Sequence, residues 1–165
     1  MVIAANISQA LDNRDRRILA LVQRDAKLQQ AEIARRVGLS AAAVNERLKK
    51  LENAGVIRRY VAVVEPHAVG ASVMAFVEVF IEHPRFEAAF IAKVRAMDEV
   101  QEIHHITGEF SLLLKIRVAG MEALQQLLIH HLNALEGVRQ TRTVIALSTS
   151  KEASYVDTGA EGEIR

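Results

Sequence analysis

The stretch from Gln30 to Arg59 constrains this chain more than any other. Apolar residues recur at helical spacing over Gln30–Val37, stop at Gly38-Leu39-Ser40 and resume over Ala41–Asn53. A short basic strand is expected next, over residues 56–64. Gly38 follows the last apolar position of the first helix, where a left-handed residue ends it. Ser40 caps the next helix, with Leu39 buried between the two. The second helix buries Val44, Leu48 and Leu51, which keeps one face apolar. Helix, tight turn, helix and strand form the outline of a winged helix-turn-helix, whose second helix is shaped for the DNA major groove.

The opposite face of that second helix carries Ala42, Glu46, Lys49 and Lys50, with Asn45 at its edge. Small residues after Ser40 (Ala41, Ala42 and Ala43) let the helix approach base edges closely. Asn45 suits a base edge, and Lys49 and Lys50 reach phosphates. Gly55 ends the helix, and Arg58 and Arg59 begin the expected wing. A solvated charged face would explain any one of these features. Here turn chemistry, small residues and basic wing agree, which favours DNA binding.

Charge is divided along the chain in the same sense. Residues 1–60 hold 12 Lys and Arg against 6 Asp and Glu, a balance of +6. Residues 61–165 hold 9 against 14, a balance of −5. A basic first part joined to an acidic second part suggests DNA binding coupled to another task. The absence of cysteine excludes disulfides, thiolate catalysis and cysteine zinc sites. No apolar run is long enough to span a membrane, and the N-terminus lacks the order of a signal peptide. A soluble, cytoplasmic protein without membrane partners is the expectation.

Residues 1–10 read as a loose arm. Asp12 or Asn13 caps a helix to about Arg24 that buries Ile18, Leu21 and Val22. Residues 1–64 therefore form the DNA-binding domain, and residues 65–71, with Pro66 and Gly70, the linker. Residues 72–150 alternate regularly: a strand over Val73–Ile81, a helix after Pro84 marked by Phe86, Phe90, Val94 and Met97, and strands over 100–107 and 111–118. A helix from Met121 to Leu135 is stopped by Gly137, and a last strand covers 138–147. The fold class is α+β: the winged helix-turn-helix, then a ferredoxin-like βαββαβ domain with a four-stranded antiparallel sheet and two helices on one face.

The first strand of that domain is apolar on both sides, with Val73, Ala75, Val77, Val79 and Ile81 on one and Met74, Phe76 and Phe80 on the other. Two helices cover only one face. A second copy is the simplest cover for the other, giving a two-fold dimer suited to a pseudo-palindromic site in double-stranded DNA. Residues 151–165 form a tail without periodicity, left open between disorder and packing across a neighbouring subunit.

Over about residues 11–147 the chain resembles the Lrp/AsnC-type (feast/famine) transcriptional regulators. The resemblance rests on LDNRDRRIL, AEIARRVGLS, ERLKKLENAGVIRRY, PHAVG, HHITGEFSLLLKIRV and GVRQTRTVIAL in that order. It implies a DNA-binding domain joined to a ligand-sensing domain. It also implies homodimers assembling to tetramers or octamers, and a small-molecule effector, an amino acid or related metabolite. The family's ligand loop, typically Gly-Asp-x-Asp, falls on Gly108, Glu109, Phe110 and Ser111. Glu109 keeps the first carboxylate; Ser111 replaces the second, so a neutral hydroxyl stands where an acid would pair with a ligand ammonium. By the same alignment Thr141 and Thr143 lie near the effector, with His105, Thr107, Ile145 and Ala146 as further wall residues. Read without the resemblance, Gly108-Glu109 is a hairpin turn and the threonines are ordinary strand residues.

Two other classes compete. Proteins of this architecture also include haem-pathway decarboxylases that use histidines. Adjacent His104 and His105 point to opposite faces of a strand, however, and His130 and His131 lie about 100° apart on a helix. No catalytic constellation, metal site or cofactor motif stands out, so the chain reads as a non-enzyme. Lys49, Lys50, Arg58 and Arg59 also speak against the enzyme, which would not need them. A ligand-binding co-regulator with weak DNA binding is the other alternative, and the sequence leaves it open.

Overall fold

A computed structural model describes residues 11–161; the expected N-terminal arm and the last four tail residues lie outside the described residues. The chain divides into two compact units, one of residues 11–63 with 152–161 and one of residues 64–151.

The first unit is a three-helix core. Helix α1 (Asn13–Arg24) starts at a capping box: Asp12 accepts the Asp15 N–H at 2.8 Å, and the Asp15 carboxylate accepts the Asp12 N–H at 3.3 Å. Helix α2 (Gln30–Val37) ends at Gly38, which takes the left-handed conformation at φ 68° that the turn requires. Helix α3 (Ala41–Asn53) is capped by the Ser40 hydroxyl, which accepts the Ala43 N–H at 3.2 Å. Ile18, Leu21, Ile33, Val37, Val44, Leu48 and Leu51 form the core between the three. Burial of each such side chain contributes about 1.5–3 kcal/mol.

The strand expected over residues 56–64 does not form. Val56 and Ile57 fold back on the helical core, their N–H groups bonding the Leu51 carbonyl at 2.9 and 3.1 Å. From Arg58 to Val64 the segment is exposed and has no ladder partner. The reason is topological: a strand needs a second edge, and the described residues of this unit contain no other strand.

The second unit runs β1 (Val73–Ile81), α4 (Pro84–Arg95), β2 (Val100–His105), β3 (Leu112–Val118), α5 (Met121–Gln126) and β4 (Val138–Ile145). Its sheet has the order β2-β3-β1-β4, antiparallel throughout. Ala75, Val77 and Val79 of β1 and Leu112, Leu114 and Ile116 of β3 pack against Phe90, Val94, Leu124, Leu127 and Leu132. Helix α5 departs from the regular helix expected to Leu135. It widens into a π-helical turn over Leu127–Leu132, continued by an Asn133 N–H bond to the Leu128 carbonyl at 2.9 Å. Leu127 and Leu132 are both buried. Five residues apart, they would diverge on a regular helix, and the widened turn brings both to the sheet.

The open face of the sheet is mixed rather than simply apolar. Phe76 and Phe80 are half-buried there and Met74 is buried. Among them Arg142 pairs with Glu78, and Lys115 with Glu102 at 3.3 Å. The tail, residues 152–161, belongs to the first unit and lies along α1 of the same chain.

Candidate functional site

On α3 the positions expected to meet DNA are exposed where the spacing puts them. Ala41, Ala42, Glu46, Lys49 and Lys50 are all open to solvent. The first turn of α3 contains no acidic residue, so the positive end of the helix dipole is unopposed beside Ser40 and Ala41. Asn45 is half-buried instead, and its side-chain oxygen accepts from the Gln30 amide at 3.2 Å, tying α3 to α2. Arg58 and Arg59 are exposed on the irregular segment after Gly55. Next to them the Tyr60 hydroxyl donates to Glu52 at 2.8 Å; burial first, then this bond, pushes the phenol up to about 12.

Arg47 is the residue that sequence reasoning missed. It lies on α3 among the positions expected to meet DNA, yet its guanidinium is bonded to Asp12, the N-cap of α1, and to Asp15 of α1, both at 2.7 Å. The Asp15 side chain is 9% exposed, so the carboxylate end of its bond to Arg47 is shielded from water. The Asp15 N–H, with Arg47 adding to it, holds the Asp12 carboxyl below its ordinary range. Arg47 therefore ties α3 to α1. A cleft opens here, with Asp15 and Arg47 lining it beside Glu46, Lys49, Lys50 and Asn53. The signal available in sequence was the pair Asp12 and Asp15 at the start of a helix, which marks a capping box but names no long-range partner.

On α2, Arg35 and Arg36 both bond Glu32, at 2.7 and 2.6 Å. Arg35 first, then Arg36, pulls the Glu32 carboxyl from its ordinary 4.5 down to about 2. A depressed carboxyl contributes stability that is present above the ordinary value and lost as pH falls through the folded one. An NMR titration of Glu32 is expected to show its midpoint near 2, and a midpoint near 4.5 would mean that the arginines do not hold it in solution.

The residues expected to sense an effector are distributed along one sheet. Thr107, Gly108 and Glu109 form an exposed hairpin between β2 and β3, closed by the Ile106 N–H on the Ser111 carbonyl at 3.0 Å. Gly108 takes φ 123°, which favours glycine. The Ser111 hydroxyl donates to the Val79 carbonyl at 3.5 Å and its N–H to the same oxygen at 3.2 Å. His105 pairs in register with Leu112, Leu112 with Val79, and Val79 with Thr141. One row thus crosses all four strands with His105 and Thr141 at its ends, roughly 14 Å apart at normal strand spacing. Thr143 and Ile145 continue along the β4 edge opposite Val77 and Ala75, and the Ala146 N–H bonds the Met74 carbonyl at 2.9 Å. Thr141 donates to Asn133 at 3.0 Å. A single chain brings hairpin and Thr141 to the same end of the sheet but spreads the rest along β4.

The histidines separate as strand geometry requires. His104 bonds Glu102 and His105 bonds Glu87 of α4, each at 2.9 Å. His130 and His131 are exposed on the widened turn. Among the described residues no group of acidic and histidine side chains could hold a metal, and no helix is long and apolar enough to cross a membrane.

Comparison with known proteins covers both units. Residues 11–58 match the winged helix-turn-helix DNA-binding model, and residues 74–156 match the Lrp/AsnC ligand-binding domain. The chain is 38% identical over 146 residues to the leucine-responsive regulatory proteins of Salmonella typhimurium and Escherichia coli K12, covering 87% of this chain and 89% of each. Its fold is similar to that of a transcriptional regulator from Neisseria meningitidis in complex with L-methionine, with a TM-score of 0.85 at 31% identity over 89% of this chain and 96% of that one. It is also similar to a feast or famine regulatory protein from M. tuberculosis complexed with L-methionine, with a TM-score of 0.83 at 33% identity over 89% and 99%. A helix-turn-helix unit and a βαββαβ unit in one chain, with the match over both, lead to one assignment: the chain belongs to the Lrp/AsnC family of DNA-binding transcriptional regulators.

Proposed function

We propose that the chain is a cytoplasmic, dimeric or larger regulator that reads a pseudo-palindromic operator through α3 and shifts its binding when an amino acid or related metabolite reaches the second unit. The observation that carries the reading is the exposed, acid-free start of α3 followed by Lys49 and Lys50. In this reading Ser40, Ala41, Ala42 and Asn45 lie nearest the groove, with Glu46 beside them. Lys49, Lys50, Arg58 and Arg59 meet phosphates. The DNA-binding domain is residues 1–64, the linker 65–71, the sensing domain 72–150 and the tail 151–165. Its role is regulation rather than catalysis, in keeping with relatives that are regulatory proteins.

Dimerisation fits the half-buried Phe76 and Phe80 and the exposed Val144 on the open sheet face. The effector would meet Gly108, Glu109 and Ser111 of the hairpin, with His105, Thr107, Thr141, Thr143, Ile145 and Ala146 around it. Because these residues are spread along the sheet in one chain, a second copy would complete the enclosure. Relatives that carry L-methionine or are called leucine-responsive make these amino acids the first to test. The test is fluorescence anisotropy on DNA from upstream of its own gene, titrated with salt and with each amino acid. Selective, salt-sensitive binding that moves with an amino acid supports the reading. Absence of selective binding on a panel of operators would favour the co-regulator.

A Cβ at Gly108 meets nothing within 4 Å, so a substitution there strains the backbone without a clash. Gly108→Val is expected to blunt the effector response while ultracentrifugation still shows dimers. Loss of the dimer would instead make the hairpin structural.

A further inference from the structure

We propose that the outward face of α1 is a docking surface for peptide backbone, that its occupant is this chain's own tail at residues 155–161, and that seating the tail holds the DNA-binding unit in its reading form. Asn13 donates its amide to the Glu161 carbonyl at 3.4 Å and accepts the Glu161 N–H at 3.0 Å. Gln23 does the same with Val156, at 3.0 and 2.9 Å. A primary amide carries the donor and acceptor of a peptide group, so each side chain imitates a strand edge and recognises the tail through its main chain. Between them the Arg16 guanidinium donates to the Thr158 carbonyl at 2.7 Å, and the Thr158 hydroxyl donates to the Arg16 carbonyl at 3.0 Å. The Arg24 guanidinium lies 5.6 Å from the centre of the Tyr155 ring.

The lengths match. Asn13, Arg16, Gln23 and Arg24 fall within an arc of about 100° on α1. From Gln23 to Asn13 the helix rises about 15 Å, while the tail from Val156 to Glu161, running the other way, spans up to about 17 Å. Only Thr158 and Ala160 of the seated segment are half-buried; the other residues are exposed. A clasp built from hydrogen bonds with so little apolar burial can open and close.

Its position gives the clasp a task. Asn13 lies between Asp12 and Asp15, the two carboxylates that grip Arg47 of α3, and Arg16 follows them. One end of the tail seat, at Asn13 and Arg16, therefore shares the first turn of α1 with the anchor of α3.

Only the last clause of the proposal rests on the DNA-binding reading, so the test has one readout without DNA and one with it. In the full chain, Val156→Pro deletes the N–H that Gln23 accepts, and Gln23→Ala deletes its partner. Hydrogen exchange over residues 13–24 is expected to speed by about three- to tenfold in each variant, and the double variant to go no further than either. Affinity for operator DNA falls by a similar factor in all three. Additive changes in exchange, or unchanged exchange in Val156→Pro, overturn the docking. Faster exchange with unchanged affinity for DNA overturns the link between tail and reading.

Discussion

Replacing Lys49 and Lys50 together by alanine is expected to weaken operator binding by about tenfold to a hundredfold near 0.1 M salt. Both lysines are exposed on the outward side of α3, while Val44, Leu48 and Leu51 hold its other side in the core. Neither touches the core, so the variant folds as the parent does. A lysine that neutralises a phosphate releases a counterion, and each lost contact flattens the dependence of log affinity on log salt by about 0.9. Affinity alone would not separate a phosphate contact from a small tilt of the helix; the slope does. An unchanged slope would place the lysines away from the duplex. Arg47→Ala offers the contrast. That side chain is bonded to Asp12 and Asp15, so its loss should unseat α3 and lower affinity with little change of slope per remaining contact.

Gly137→Ala is expected to destabilise the protein by about 3 kcal/mol, lowering the melting temperature by about 6–12 °C. Two penalties coincide there. Gly137 takes φ 85°, where a side chain is strained, and a Cβ would lie 2.4 Å from the Phe86 Cβ and 2.5 Å from its Cγ. These are the near atoms of the phenylalanine, so rotation of the ring does not relieve the clash. The glycine also accepts the Glu82 N–H at 2.9 Å, joining the end of β1 to the start of β4. Gly108→Ala, with positive φ but open space, should cost distinctly less. A fall below 2 °C in Gly137→Ala, measured by calorimetry, would show that α4 shifts aside freely.

Local chemistry was legible in the sequence wherever one element explains itself. Gly38, Ser40 and the spacing of Val44, Leu48 and Leu51 specify the helix-turn-helix without help from the rest of the chain. The βαββαβ order followed in the same way from period and punctuation. What could not be read depends on partners distant in sequence. The strand expected over residues 56–64 had the residues for one but no second edge. The wide turn at Leu127–Leu132 exists because two leucines five positions apart must both reach the sheet. Nothing in its position on α3 singles out Arg47, and only the fold brings Asp12 and Asp15 to it. The resemblance named effector residues by alignment, but periodicity could not reveal that His105 and Thr141 fall on opposite edges of one sheet.

The return of the tail to α1 also changes what severing the chain would do. The sensing domain is an insertion between two parts of the DNA-binding unit, with one covalent crossing near residue 64 and another near residue 151. A protease that nicks the exposed linker cuts only the first. The downstream fragment still carries residues 155–161, and those remain bonded to Asn13, Arg16 and Gln23 on the upstream one. Nicked protein would therefore run as two bands under denaturing conditions yet as one particle in native solution, and the clasp's lifetime would set how long the halves stay together.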